Sequence, residues 1–179
     1  GPLSWSKDNS KIYFTSNRSE SWEYEFRNSE IYSVDIIDQK IRSLTDRNGP
    51  DSNPKVSPNG KHIAYLGYQD KVQAYQNTQL SIMDTNGDNT SLISFNVDSS
   101  INDYQWDSNS KGIYYSYDKF GDTKIAYLNL DGTSEDLAQD LGGTSIGRPY
   151  GKGSFTVSNN GVIAYTKTTY KHPSELTIV

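Results

Sequence analysis

Polar and apolar residues alternate with a period of two along much of this 179-residue chain. Clear runs are residues 30–36, Glu-Ile-Tyr-Ser-Val-Asp-Ile, and residues 124–130, Lys-Ile-Ala-Tyr-Leu-Asn-Leu. This spacing puts successive side chains on opposite faces of a β-strand, whereas no stretch has helical spacing. The pattern therefore predicts an all-β protein.

A short phrase recurs four times: a strand ending in Trp or Val, a polar turn, and an apolar triplet such as Ile-Ala-Tyr. The first residues of the triplets are Ile12, Ile63, Ile113 and Ile163, which are separated by 51, 50 and 50 residues. A constant step of this size is typical of propellers and other repeat arrays. We therefore interpret the chain as a set of repeated structural units.

Each repeat is predicted to contain four antiparallel strands. In the second repeat they cover residues 55–57, 62–67, 79–84 and 90–95, with Pro58-Asn59-Gly60 in the first turn. Proline presets φ and Asn-Gly accepts positive φ, so this turn is chemically specified. A β-sandwich needs about 100 residues, so a propeller blade is the better match to the repeat.

We expect one partial β-propeller with a repeat of about 50 residues. Its 3.75 or so blades would cover residues 3–47, 53–96, 103–141 and, incompletely, 153–179.

Composition supports several small sheets over one large core. Hydrophobic residues make up 33% of the chain, the mean hydropathy is −0.78, and 14 residues are tyrosine. A tyrosine can bury its ring between strands while its hydroxyl remains hydrated. The net charge of −5, without a basic run, argues against a nucleic-acid partner.

Several classes of chemistry have little support in the sequence. The chain has no cysteine, which removes disulfides and thiolate nucleophiles but leaves the compartment open. It has no run of 18 apolar residues, so we predict no membrane segment. His62 and His172 are isolated, and Gly87 stands fourth from Asp84, where a calcium loop needs glycine at the sixth position. We predict no metal or cofactor.

Gly143-Thr144-Ser145-Ile146-Gly147 matches the G-x-S-x-G pattern of a nucleophile elbow. That mechanism needs a helix after the serine, followed by an acid and then a histidine. After Ser145 there is no Asp, and the one carboxylate, Glu175, follows His172. We therefore interpret the stretch as a connection between blades and predict no catalytic residue in this chain.

The segment Pro54-Lys55-Val56-Ser57-Pro58-Asn59-Gly60-Lys61, followed by Ile63-Ala64-Tyr65, resembles the P-x-W-S-P-D-G-K-x-I-A-Y signature of TolB-type propeller repeats. Leu44-Thr45 resembles the close of such a blade. The chain departs from the signature at Asn59, where Asp is usual, and at Val56 and Val157, where Trp is usual.

Over nearly the whole chain, the order of features also resembles the propeller of the prolyl oligopeptidase family, in its acylaminoacyl peptidase and dipeptidyl aminopeptidase branch. The insert after Asn17-Arg18 and the segment His172-Pro173-Ser174-Glu175-Leu176 carry this finer match. The resemblance implies an α/β-hydrolase domain, absent from this chain, that would cleave peptides. The alternative is a TolB-like protein-binding module with no enzymatic domain.

In a meandering blade, the connections between second and third strands share one face. Here they are residues 18–29, 67–78, 117–122 and 167–174, where we expect the hydrolase domain to approach. The candidate contact residues are Arg18, Trp22, Glu23, Tyr24, Glu25 and Arg27.

Glu23 or Glu25 would bind a substrate amino terminus or an interdomain arginine. The competing interpretation is that Trp22, Tyr24 and Phe26 pack the loop onto its blade. Open blade faces also predict self-association of the chain.

Overall fold

The computed structural model describes residues 1–145 and 148–179, and for residues 144, 145 and 148–151 it describes the backbone alone. The described residues form β-strands and no helix, which confirms the all-β prediction. The chain divides into two compact units, Gly1–Asp98 and Ser99–Val179.

The first unit contains two four-stranded antiparallel sheets, each with its strands in chain order. The strands of the first sheet are β1 (Ser4–Trp5), β2 (Lys11–Ser16), β3 (Glu30–Asp35) and β4 (Ile41–Ser43). Those of the second are β5 (Asp51–Val56), β6 (His62–Gly67), β7 (Gln79–Asp84) and β8 (Ser91–Leu92). Each sheet is therefore a meander of the kind that the repeat predicts.

A serine at the end of the first strand organises the first turn of three sheets. Ser6 Oγ accepts a hydrogen bond from Lys11 N at 2.9 Å, and Ser57 Oγ accepts one from His62 N at 3.0 Å. Ser158 Oγ accepts one from Val162 N at 3.0 Å. The recurring serine thus holds the backbone where the chain reverses, which explains its place in the repeated phrase.

The repeated apolar triplet supplies the core of the first unit. Tyr13, Ile63 and Tyr65 are buried in one cluster with Ile31 and Met83. Val56 N donates a hydrogen bond to Ser4 Oγ at 3.0 Å, so the first strands of the two sheets are also joined directly. The same residues that define the repeat therefore bind one sheet to the next.

The second unit contains a four-stranded sheet, a three-stranded sheet and a two-stranded hairpin, all antiparallel. The four strands are β9 (Ile101–Trp106), β10 (Gly112–Lys119), β11 (Asp122–Asn129) and β12 (Ser134–Ala138). The hairpin consists of β13 (Gly143–Ser145) and β14 (Arg148–Gly151). The three-stranded sheet consists of β15 (Phe155–Val157), β16 (Ile163–Thr169) and β17 (His172–Ile178).

The core of the second unit repeats the pattern of the first. Ile163 and Tyr165, from the repeated triplet, are buried with Ile125, Leu141 and Val157. The segment that we interpreted as a linker, residues 148–153, contains strand β14, paired with β13. We predicted a plain connection between blades for this segment, and in the structure part of it belongs to a hairpin.

Candidate functional site

The connections between second and third strands are long in the first unit and short in the second. The first long loop comprises residues 17–29, between β2 and β3, and the second long loop comprises residues 68–78, between β6 and β7. In the second unit, Phe120–Gly121 joins β10 to β11 and Tyr170–Lys171 joins β16 to β17. The predicted loops 117–122 and 167–174 are therefore wrong in extent, because the strands continue nearly to the turn.

Glu25 organises the first long loop from within. Its carboxylate accepts hydrogen bonds from Ser19 Oγ and Ser21 Oγ, each at 2.9 Å, and its backbone N–H donates to Ser21 O at 3.1 Å. These hydroxyls lower the pKa of Glu25 below its ordinary value, because they stabilise the ionised carboxylate. Glu25 therefore has a structural role in shaping the loop.

Glu23 differs from Glu25 in its surroundings. It is exposed, and the described residues provide it with no hydrogen bond or ion pair. The sequence did not decide whether Glu23 or Glu25 would bind a cation, and their surroundings in the structure differ. Glu23 is the one whose oxygens are available to a cation from outside the loop.

The aromatic side chains of this loop point largely into solvent. Trp22, Tyr24 and Phe26 are 58%, 85% and 75% exposed. Packing onto the blade, the competing interpretation of the loop, therefore leaves more than half of each of these residues exposed. Large exposed aromatic side chains are enriched where proteins bind partners.

The two predicted arginines lie over aromatic rings. The Arg18 guanidinium is 5.9 Å from the centre of the Tyr32 ring, and that of Arg27 is 5.4 Å from the centre of the Phe26 ring. Such cation–π contacts hold a guanidinium in place without neutralising its charge. Arg18 and Arg27 thus remain charged groups at the margin of the loop.

The two long loops enclose a groove of about 320 Å³. Its lining residues from the first long loop are Tyr24, Glu25, Phe26, Arg27 and Asn28, and the remainder are Asn48, Gly49, Asp70 and Val72. Gly49 N donates to Asn28 Oδ1 at 3.1 Å, and Asp70 N donates to Asn48 O at 2.8 Å. The segment that follows β4 therefore fixes both loops around a groove that is lined by aromatic, polar and charged residues.

Two exposed apolar residues occupy strained positions in these connections. Val72, in the second long loop, has φ of 55° and is 90% exposed, and Phe120 has φ of 54° and is 98% exposed. Positive φ costs a β-branched or bulky residue about 1–2 kcal/mol. The polar and apolar pattern gives no signal for Val72, whereas Phe120-Gly121 between two period-two runs is a signal for a tight hairpin.

In the described part of the chain, no three His, Cys, Asp or Glu side chains lie together in a way that could hold a metal ion. Residues 146 and 147 of the G-x-S-x-G stretch lie outside the described residues, and residues 148–179 contain strands and no helix to follow such an elbow. No helix in the described residues is long and apolar enough to cross a membrane.

The chain is similar in sequence to dipeptidyl-peptidase 5 of Porphyromonas gingivalis. The two are 26% identical over 130 residues, which is 72% of this chain and 19% of that protein. The chain thus spans about a fifth of the length of this curated relative. No family model matches the chain.

In structure, the chain is similar to TolB from Acinetobacter baumannii. The likeness covers 100% of this chain and 40% of TolB, with a TM-score of 0.70 at 19% identity. This chain has a TolB-like β-propeller fold. The propeller prediction is therefore confirmed, and the described residues form three four-stranded blades and a further sheet of three strands.

The TolB-like fold is shared with a second group of known structures. A puromycin hydrolase has a TM-score of 0.70 at 14% identity, and the likeness covers 99% of this chain and 28% of the hydrolase. Together with the match to dipeptidyl-peptidase 5, this likeness confirms the predicted resemblance to the propellers of the prolyl oligopeptidase family.

Proposed function

We propose that this TolB-like propeller is a noncatalytic segment of a serine peptidase. Its role would be to filter access of peptides and to contact an α/β-hydrolase domain of the same protein. The sequence match to dipeptidyl-peptidase 5 over 72% of this chain supports a peptidase. That relative is about five times longer than the matched region, which leaves room for a catalytic domain.

The observation that carries the proposal is the exposed first long loop. Aromatic rings that face solvent lose favourable burial unless a partner covers them, and aromatic residues are frequent hot spots of binding. Trp22, Tyr24 and Phe26 stand together on a connection that also lines the groove. These features support a surface on which another domain or a peptide docks.

Within this loop, we assign the contact with a cation to Glu23. A carboxylate forms strong charge-assisted hydrogen bonds with an ammonium or guanidinium group. Its cation would be either the amino terminus of a peptide substrate or an arginine of the hydrolase domain. Glu25, whose oxygens are held by Ser19 and Ser21, would keep the loop in the conformation that presents Glu23.

The test is a neutralisation of Glu23 in the full-length peptidase. Glu23→Gln should raise KM for peptides with a free amino terminus about tenfold, because about 1.4 kcal/mol of binding free energy is lost. An effect that is independent of the amino terminus would assign the cation to the hydrolase domain. Glu135→Gln, at an exposed site of β12, is the matched control. Equal kinetics for both variants and the unchanged enzyme would contradict the assignment.

A second candidate function is binding of a protein partner by a TolB-like module without an enzyme. The likeness to TolB over the whole chain supports it. The same loops would then dock the partner, and peptide turnover would be absent from the natural protein. Peptidase activity of the full-length protein decides between the two candidates.

A further inference from the structure

A cluster of charged side chains is buried beneath the two long loops. Glu30, the first residue of β3, is 9% exposed, and Asp51, the first residue of β5, is fully buried. Thr45 Oγ1 donates a hydrogen bond to Glu30 Oε2 and accepts one from Ile31 N at 2.9 Å. Arg47 forms an ion pair and a hydrogen bond with Asp51.

The cluster carries more negative than positive charge. Two buried carboxylates, Glu30 and Asp51, share one guanidinium, Arg47, and the single hydroxyl proton of Thr45. The neighbouring Asp46 adds negative charge from the segment after β4, and Tyr65 of β6 faces Asp51 with a neutral phenol. A buried excess charge is costly, and binding one proton removes it.

The packing leaves little room for another counter-ion beside Asp51. A Cβ atom on Gly67 would overlap Arg47 Nη2, Pro50 O and Asp51 Oδ1. The strand β6 therefore approaches the ion pair as closely as glycine permits. The excess negative charge of the cluster can therefore be neutralised by protonation of one of its carboxyl groups.

The titration of both groups agrees with this geometry. Burial raises the pKa of Glu30 to about 7, against the opposing effect of the Thr45 hydrogen bond. Burial also raises the pKa of Asp51 to about 6, although Arg47 lowers it. A carboxyl group with a raised pKa contributes stability that is complete below its unfolded-state pKa, near 4, and that disappears as pH rises through its folded-state pKa. The relevant interval is thus pH 4 to 7.

The cluster is connected to the base of each long loop. Asp51 N donates to Ser29 O at 2.7 Å, and Ser29 Oγ donates to Asp51 O at 3.0 Å. On the other side, Tyr68 N donates to Pro50 O at 3.3 Å. The backbone of residues 47–51 is therefore bonded to both loops.

The repeat itself provides a neutral version of the same arrangement. Gln79 is the first residue of β7, as Glu30 is of β3. Leu80 N donates to Ser94 Oγ at 2.9 Å, as Ile31 N does to Thr45 Oγ1. Ile101 begins β9 where Asp51 begins β5. One blade therefore forms with an uncharged residue at the position of Glu30, and another with an apolar residue at the position of Asp51, so these buried carboxyl groups are not a requirement of the blade fold.

We propose that Glu30, Thr45, Arg47 and Asp51 form a proton-dependent clasp that fixes the two long loops. With a proton bound, residues 47–51 keep their hydrogen bonds to both loops, and the groove keeps its shape. Loss of the proton near neutral pH places unbalanced charge in the cluster and loosens both loops. The inference rests on the proposed function only in assigning partner contact to these loops.

The experiment is amide hydrogen exchange on the chain alone at pH 5 and pH 8, expressed as protection factors. Protection of the Asp51 and Asp70 amides should fall about tenfold or more with rising pH, since one pKa unit corresponds to a factor of ten. The Leu80 amide, in the neutral arrangement, is the internal reference. In Glu30→Gln, which copies Gln79, the fall should be clearly smaller, because Arg47 then balances the one remaining carboxylate, Asp51, whereas Glu135→Gln should behave as the unchanged chain.

An equal fall in the unchanged chain and in Glu30→Gln would overturn the proposal. If Glu30→Gln does not fold, equal pH dependence of the Asp51 and Leu80 amides in the unchanged chain would overturn it as well. The measurement involves no peptidase, so its failure leaves the proposed function untouched. Conversely, a protein without a hydrolase domain would still show the clasp.

Discussion

Gln105 and Val157 are joined by two hydrogen bonds across neighbouring blades of the second unit. Gln105 Nε2 donates to Val157 O at 2.7 Å, and Val157 N donates to Gln105 Oε1 at 3.1 Å. A side-chain amide thus pairs with the backbone of β15 as a neighbouring strand would. This contact connects β9 to β15 beside the apolar cluster that contains Val157.

Replacing Gln105 by alanine should lower the free energy of unfolding by about 1–3 kcal/mol. The substitution removes two hydrogen bonds and leaves backbone groups of the half-buried contact without partners. Urea denaturation followed by circular dichroism measures the change. Gln139→Ala, at an exposed site of the same unit, is the control and should stay within about 0.5 kcal/mol of the unchanged chain.

Phe120→Asn should stabilise the second unit by about 0.5–1 kcal/mol, because asparagine tolerates positive φ better than phenylalanine. The substitution of the adjacent residue, Gly121→Ala, should instead destabilise the same turn. Gly121 has φ of 79°, and no atom lies within 4 Å of an added Cβ, so its cost of about 1 kcal/mol is conformational. Thermal unfolding of both variants checks the pair. Destabilisation by Phe120→Asn would show that the phenyl ring contributes to the fold.

Thr45→Val and Ser94→Ala should each destabilise the first unit by about 1–3 kcal/mol. Each removes the hydroxyl that accepts a bond from a buried strand N–H, that of Ile31 or Leu80. Only Thr45 also donates to a buried carboxyl group, that of Glu30. Urea denaturation at pH 5 and pH 8 should therefore give an altered pH dependence for Thr45→Val and an unaltered one for Ser94→Ala. The same pH dependence in both would contradict a special role for Thr45.

We predict that the chain self-associates through the exposed edge of strand β17. Among the described strands it pairs with β16 alone, and Leu176 on it is 74% exposed. An unpaired edge with apolar side chains favours edge-to-edge contacts. Sedimentation velocity should show association that increases with concentration and decreases in Leu176→Lys. Leu3→Lys, outside the strands, makes the same change of charge and should leave association intact. A monomer at all concentrations would refute the prediction.

Strands with a strong period-two pattern could be predicted from the sequence. The predicted bounds of β6 and β7 agree with the structure. By contrast, β5 begins at Asp51, four residues before the predicted start, and its register shifts between Ser52 and Lys55. Asn53 has φ of 55°, so the local irregularity interrupts the alternation on which the prediction depends.

Strand β17 was missed at its beginning because Pro173 is unusual within a strand. His172 was expected in a loop, yet it pairs with Thr169 at the start of β17. Proline is tolerated there because an edge strand has one side without a neighbour. The position of the strand in its sheet, which the sequence does not reveal, thus decides whether proline is compatible with it.

The candidate loop could be located from its composition, but the roles within it could not be predicted. Glu23 and Glu25 have equivalent sequence surroundings, and only the turns of residues 19–25 bring two serine hydroxyls to Glu25. The buried cluster also escaped prediction, because Glu30, Thr45 and Asp51 are far apart in sequence. A comparison of Glu30 with Gln79 at equivalent repeat positions was the available signal.

The most direct test of the central claim is the complete sequence and intact mass of the natural polypeptide that contains residues 1–179. We predict a larger protein with an α/β-hydrolase domain. Its serine would lie in G-x-S-x-G between a strand and a helix, followed by an acid and a histidine. A natural polypeptide without such a domain would contradict the account and leave protein binding as the function of the propeller.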